Sequence, residues 1–449
     1  MLRGLVFLVI ASAAFSQGLD TEVLKEIDAL IEKGISNKRM PGGVLHLEHK
    51  KAIYQKSYGN RQLVPKTEKA TKETIYDLAS LTKVVATTPA VMKLIEGGAI
   101  ELDAPAQRYL PELSGDSNKP KITVRHLLTH TSGLAAGVRR GYEWSGSKDG
   151  FALAAGEPSR SLAGFSYQYS DLNYILLGEI VARVTGMPLQ DYCWKEIFLP
   201  LGMNETFFLP DPKMEGRIAP TTLLEDGSLL RGIVHDPTSR RMGGVAGHAG
   251  LFSTVDDLAR FARMLLNGGG GILKPETISL MTSVQSPANI ESRRGLGFDI
   301  DSTYSSLRGE LFPKGSFGHT GWTGTSIWID PTSESFVIFL SNRNHPSGGD
   351  VIALRKDLGT LAAKATGFDF STVKKHLPEV VPKLPGFPDV LNGIDVLERD
   401  QFAALEGMRV GLITNQTGTN RKGVTTIDLL HRSHRVDLKL LFGPEHGIR

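Results

Sequence analysis

Apolar and polar positions alternate or recur with periods that mark out most of the elements. "GGVLHLEHKKAIYQKSY" (42–58) breaks at the polar Lys50-Lys51 pair, which predicts two short strands around a turn. A helical region is expected from near Ala79, and further helix patterns run from "TVRHLLTH" through "LNYILLGEIVARVTG". "TVDDLARFARMLLNGGGG" has apolar residues at 258, 261, 262, 265 and 266, one face of a helix that stops on glycines. "TSIWID" and "SFVIFLS" then flank "PTSE" as a hairpin. Strands at both ends with helices between predict an α+β fold. An antiparallel sheet is completed by both ends of the domain and flanked by helices, with an inserted helical region.

The pattern changes after residue 370. "PEVVPKLPGFP" carries four of the 23 prolines, a spacing that favours an extended linker, placed at 371–392. Beyond it, "MRVGLITN" reads as a buried-type strand, "TTIDLLHR" as a short helix and "VDLKLLFGPEHG" as a second strand with its loop. One βαβ unit cannot cover both faces of a parallel sheet, so 393–449 is expected to be the truncated start of a second domain.

At the other end, "MLRGLVFLVIASAAFSQG" has Arg3, an apolar run from Leu5 to Ile10, and small residues at Ala14 and Ser16 ahead of Gln17. This predicts a signal peptide over 1–16 and a secreted or periplasmic mature chain starting at 17, too short an apolar run to remain as a membrane span. No cysteine follows the run, so no lipid anchor is indicated, and the single thiol, Cys193, allows no intrachain disulfide. The net charge of +3, from 51 basic and 48 acidic residues, gives no reason to expect nucleic acid as a partner. A small molecule or a peptidoglycan fragment is the expected partner, and the sequence does not settle the oligomeric state.

Ser-x-x-Lys occurs three times, at Ser80-Lys83, Ser145-Lys148 and Ser371-Lys374. Ser145 lies in the glycine-bracketed loop "WSGSKDG", and Ser371 at the entrance to the proline-rich linker. Only Ser80 precedes an apolar periodic run, with Asp77 available as a cap. Residues i and i+3 share a helix face, so the Lys83 amine can reach the Ser80 hydroxyl. Pro89 falls inside the same run and predicts a kink or a break. The 12 histidines show no H-E-x-x-H spacing, "NGGGG" (267–271) lacks the Lys-Ser/Thr of a phosphate loop, and Gly-x-Ser-x-Gly is absent. No metal and no cofactor are expected.

"LASLTK", "HLLTHTSGL" (126–134), "YSDLNYILLGEI" (169–180), "GHAGLFSTVDDLARF" (247–261) and "HTGWTG" (319–324) follow in this order. Together they resemble the serine β-lactamase and penicillin-binding-protein superfamily, on its class C and esterase-like side, over roughly residues 20–367. The resemblance implies a β-lactamase-like serine hydrolase domain over 17–370, with Ser80 as acylated nucleophile, Lys83 as proton acceptor and Tyr169 as the relay to the leaving group. His319-Thr320-Gly321 matches the strand motif usually written K-T-G, and the backbone N–H groups of Ser80 and Trp322 would form the oxyanion hole. Burial beside a tyrosine is expected to leave Lys83 partly neutral, as a base needs. His126 and His130 are expected to brace a loop.

Two positions depart from the family pattern. Asp171 stands where asparagine presents an amide to substrate, and an ionised aspartate only accepts hydrogen bonds. His319 replaces a lysine that would hold a β-lactam carboxylate. The expected activity is therefore that of an exported esterase, amidase or D-amino-acid peptidase acting through an acyl-enzyme in cell-wall turnover, ahead of efficient β-lactam hydrolysis. The alternatives are a β-lactamase, or a penicillin-recognising sensor or binding protein that does not turn over. In the tail, "GIDVLERDQF", "RVGLITNQTG", "TIDLLH" and "LLFGPEHGIR" resemble the start of the exo-β-N-acetylmuramidase family, with Glu445 and His446 in a motif similar to its active-site loop. No muramidase activity is expected from this segment alone.

Overall fold

The computed structural model describes residues 18–139, 141, 143–373, 393–414, 418–420 and 424–443. The expected signal peptide, residues 374–392 of the expected linker, and Glu445 with His446 lie outside the described residues. Two compact units are present, Met1–Pro382 and Lys383–Arg449.

The first unit is built on an eight-stranded sheet whose successive neighbours run antiparallel. At its centre the N-terminal strand Gly42–His49 pairs with Ser335–Ser341, so both ends of the domain do complete one sheet. The hairpins fall where the pattern places them, Gly42–His49 with Ala52–Gln62 and Ser326–Asp330 with Ser335–Ser341, although Ala52–Gln62 runs past the expected end at 58.

Because successive strand side chains point to opposite faces, one strand feeds two cores. Val44, Ile327, Ile329, Phe336, Ile338 and Leu340 enter the larger core, under the helical layer. Leu45, Leu47, Trp328, Val337 and Phe339 enter the smaller one. That second core is roofed by two helices without counterpart among the expected elements, Thr21–Ser36 and Ile352–Ala365. The first is capped by Asp20, whose carboxylate accepts from the Glu22 and Val23 amides. Its Ile27 and Ile31 are fully buried, each contributing roughly 1.5–3 kcal/mol.

The inserted layer contains Val124–Leu128, Asp171–Thr185 and Val255–Leu266. A small three-stranded sheet ties it down: Leu251–Ser253 pairs on one side with Phe207–Phe208 and on the other with Tyr76–Asp77, just ahead of Ser80.

The second unit has parallel strands Arg409–Ile413 and Asp437–Phe442 with the helix Thr426–Arg432 between them in sequence. The βαβ order is as expected, but the strand Arg409–Ile413 is not buried: Ile413 is 71% exposed and Leu440, on its partner, 58%. One short helix cannot cover two faces of a sheet. Among the described residues, no helix is long and apolar enough to cross a membrane.

Candidate active site

Ser80 is delivered by a strained corner. After the strand Tyr76–Asp77 the chain turns at Ala79, which holds a left-handed φ of 46°. A non-glycine residue there costs roughly 1–2 kcal/mol, so the surroundings must hold it. Asp77 does so: one carboxylate oxygen accepts from the Ala79 amide at 2.8 Å and the other from the His235 amide at 2.6 Å. Asp77 thus fixes the corner and does not cap the helix, which begins at Leu81.

Pro89 does not break that helix. Lys83–Thr87 forms a wide π turn, in which the Thr88 amide donates back to the Lys83 carbonyl, and the α-helix Thr88–Glu96 follows with Pro89 in its first turn. The wide turn accommodates a residue that can donate no hydrogen bond, and such turns are frequent at functional sites.

Lys83 is fully buried, and three acceptors surround its ammonium. Nζ lies 3.1 Å from Ser80 Oγ, 3.1 Å from the His248 carbonyl and 2.7 Å from Asp171 Oδ1. An ammonium has three N–H groups, and all three are matched. Burial pulls its pKa down, but the charges of Asp171 and then Tyr169 outweigh it, and the net shift is upward. The expectation of a partly neutral lysine is therefore corrected: a carboxylate that accompanies the amine into the interior reverses the effect of desolvation.

Asp171 is likewise placed differently from a substrate-binding residue. Its carboxylate is taken by Lys83, and it is not among the residues lining the cavity at Ser80.

Tyr169 does line that cavity. Its ring packs on His130 at 4.4 Å, and Lys83 Nζ lies 5.0 Å from the ring centre. The loop bearing it is braced as expected of a structural histidine: the Ser170 amide donates to His130 Nδ1 at 3.1 Å. His126 closes a capping box with Thr123.

His319, Thr320, Gly321 and Trp322 lie together on the facing wall. His319 Nδ1 lies 2.9 Å from the Thr320 carbonyl; burial, then the charges of Arg294 and Lys83, hold its pKa well below the usual histidine range. It carries no fixed positive charge. The turn is stitched to the Ser80 corner, Thr323 Oγ1 donating to the Asp77 carbonyl at 2.7 Å and Thr325 Oγ1 to the Leu78 carbonyl at 3.0 Å. A Cβ on Gly321 would collide with Thr325 Oγ1 and the Leu78 carbonyl, so only glycine permits this approach. The amides of Ser80 and Trp322 donate to no protein acceptor among the described residues.

The cavity holds about 460 Å³ and brings together Ser80, Tyr169, His319, Thr320, Gly321 and Trp322, so every expected site residue except Lys83 and Asp171, which stand behind it, lines the wall. Tyr304, Arg343 and Arg355, which belong to none of the sequence motifs, also line it. Two further groups without such a signal are the His248 carbonyl and Asp236, which accepts from His248 Nε2 across 2.9 Å. Asp171, Asp236 and His248 bring three donor atoms within 4.8 Å of one another, but Lys83 already engages Asp171. The arrangement suits acyl transfer: a hydroxyl beside a cation, a phenol on the same wall, and two free amides.

Known proteins share sequence and fold with this chain. The profile of the family described as Beta-lactamase matches residues 27–361. The profile described as Exo-beta-N-acetylmuramidase NamZ, N-terminal, matches residues 410–449. A protein of Escherichia coli (strain K12) named "Putative D-alanyl-D-alanine carboxypeptidase" is 32% identical, the match covering 74% of this chain and 85% of that one. Among solved structures, a penicillin-binding protein homologue from Pyrococcus abyssi superposes with a TM-score of 0.62 at 26% identity, over 76% of this chain and 78% of its own. A class C β-lactamase superposes with a TM-score of 0.62 at 20% identity, over 77% and 98%, which speaks for the fold.

Proposed function

The chain belongs to the β-lactamase family of serine hydrolases, and on that premise we propose that it is an exported enzyme that forms an acyl-enzyme on Ser80 and cleaves D-alanyl amides or related esters in peptidoglycan-derived material. The observation that carries the reading is the Lys83 ammonium, 3.1 Å from Ser80 Oγ behind a cavity that Tyr169 shares. The leader pattern of residues 1–16 supports export. The name of the E. coli relative and the muramidase-type match of residues 410–449 support a role in cell-wall turnover.

In the proposed acylation, Ser80 Oγ attacks the carbonyl carbon while its proton passes to the Tyr169 oxygen. Tyr169 gives its own proton to the departing amine or alcohol, so the relay ends with the phenol restored. Lys83 keeps its proton throughout, orients Ser80 Oγ and balances the charge that develops beside it. The Ser80 and Trp322 amides receive the oxyanion. Water then attacks the ester by the same relay in reverse and frees Ser80. With His319 neutral, that residue offers no fixed charge for a β-lactam carboxylate, and Arg343 and Arg355 are the lining cations left to meet one.

The test is turnover of D-alanyl peptides, p-nitrophenyl esters and nitrocefin by the full chain and by Ser80→Ala. Multiple turnovers on a D-alanyl peptide or ester, abolished in Ser80→Ala, support the reading. Failure of a fluorophosphonate to label Ser80 would overturn it. A second reading, a penicillin-recognising protein that acylates without release, is favoured by the Lys83–Asp171 ion pair, which withholds a free base from the deacylating water. Stoichiometric labelling without turnover would select it.

A further inference from the structure

Arg355, on the helix Ile352–Ala365, is only 7% exposed, and no carboxylate among the described residues forms an ion pair with it. Burial, then the charge of Arg343, pull its pKa down to about 9 against the opposing influence of Asp350, so it remains a cation at neutral pH. A buried charge without a counter-ion is costly and calls for a reason.

Its donors identify one. Nη2 donates to the Gly321 carbonyl at 2.7 Å and to the Thr325 carbonyl at 2.9 Å, closing across a turn in which the Gly321 amide already donates to Thr325 at 2.7 Å. The Gly321 carbonyl and the Trp322 N–H are two ends of one conjugated peptide group. A cation at the oxygen draws electron density through the C–N bond and makes the N–H at the far end a stronger donor. Arg343 secures the next peptide, its Nε donating to the Trp322 carbonyl at 2.6 Å with the guanidinium 4.6 Å from the Trp322 ring centre.

We propose that Arg355 is a positioning residue that orients and polarises the Gly321–Trp322 peptide, so that a buried guanidinium tunes the oxyanion-binding amide through its carbonyl. The inference rests on the acyl-enzyme reading of Ser80 and on Trp322 N–H as an oxyanion donor. It differs from direct recognition of a substrate carboxylate by Arg355, which the cavity wall would also allow.

Two full-length variants, Arg355→Met and Arg355→Lys, separate these roles when assayed on a neutral p-nitrophenyl ester and on its carboxylate-bearing counterpart. In Arg355→Met, kcat should fall about 100-fold on both esters with KM little changed. Arg355→Lys, which keeps the charge, should recover part of that loss. A loss confined to KM of the anionic ester, or an unchanged kcat, overturns the proposal. A readout independent of turnover covers a Met variant that fails to fold. The chain has four tryptophans, so selective 15N-tryptophan labelling gives few backbone peaks, with Trp322 assigned by Trp322→Phe. The Trp322 amide proton should move upfield in a folded variant that removes the charge, Arg355→Met or Arg355→Gln, and by less in Arg355→Lys, while the other tryptophan amides stay in place; a peak that stays put when the charge is gone overturns the proposal. Turnover that survives Ser80→Ala would instead defeat the acyl-enzyme reading itself, whatever Arg355 does.

Discussion

Lys83 and Asp171 form an ion pair of 2.7 Å in which the lysine is wholly buried and the aspartate side chain about one-third exposed (34%). The pair decides what Ser80 faces: a cation with no proton vacancy. In Asp171→Asn the lysine keeps its burial, Tyr169 and the charge of Asp236 but loses its ion pair, so its pKa should drop. If the ammonium is the working form, an alkaline limb of kcat/KM should enter the neutral range in the variant, because activity disappears where Lys83 loses its proton. A pH–rate profile checks this, and a gain in activity on the alkaline side would mean that free lysine is the base. Stability should fall by about 3 kcal/mol, the low end for breaking a buried pair, since the carboxylate is partly screened by solvent.

Tyr169→Phe removes the relay oxygen and leaves the ring contact with His130. Loss of a proton-transfer group typically costs 10²–10⁴-fold. The loss should be large on a p-nitrophenyl ester, because Tyr169 takes the Ser80 proton and serves deacylation, and larger still on a D-alanyl amide, whose amine departs only when protonated. Little loss on either substrate would contradict the relay.

Gly321→Ala places a methyl group against Thr325 Oγ1 and the Leu78 carbonyl, driving the turn away from the Ser80 corner. Activity is expected to fall by about 10²–10³-fold, as for removal of an oxyanion donor, and the melting temperature by a few degrees, as the overpacked turn gives way. Steady-state kinetics beside a thermal melt would check both halves.

Burial raises the Asp77 pKa to about 6, and Asp236 adds to the rise, against the amides of His235 and Ala79 and the charge of Arg240. A carboxyl group whose pKa is higher folded than unfolded binds its proton more tightly in the folded state. Its contribution to stability is therefore favourable at low pH and is lost as pH rises from about 4 through about 6. The wild-type protein should accordingly lose on the order of 2 kcal/mol relative to Asp77→Asn between pH 4 and pH 7. Denaturant titrations of both proteins at the two pH values would measure it.

How far the sequence could be read depended on whether a property is local. The i,i+3 spacing of Ser80 and Lys83 and the hairpin around "PTSE" are local, and both stand as expected. The charge of Lys83 is not local, because it depends on where a distant helix points Asp171, and the residue types alone suggested a lysine neutralised by burial. Arg355 carried only a faint signal. In "IALRKDLGTLAAKA" it sits between Leu354 and Leu358, which share a helix face, and nothing but tertiary packing tells Arg355 from the exposed Lys356 beside it. The roofing helices carry no motif, and only their buried faces, Ile27 and Ile31 in one and Leu354 and Leu358 in the other, mark them in the sequence.

The π turn at Lys83–Thr87 has a bearing on how this helix tolerates change in length. One additional residue in a helical turn rotates everything before it by about 100° relative to everything after it. Excising a single residue from 83–87 would yield a more regular helix whose core-facing end still fits, yet it would swing Ser80 away from its wall and bring the Pro89 ring against the carbonyl now one turn behind it. The irregularity acts as a phase adjuster: regularising the helix would put the hydroxyl out of register with its own cavity.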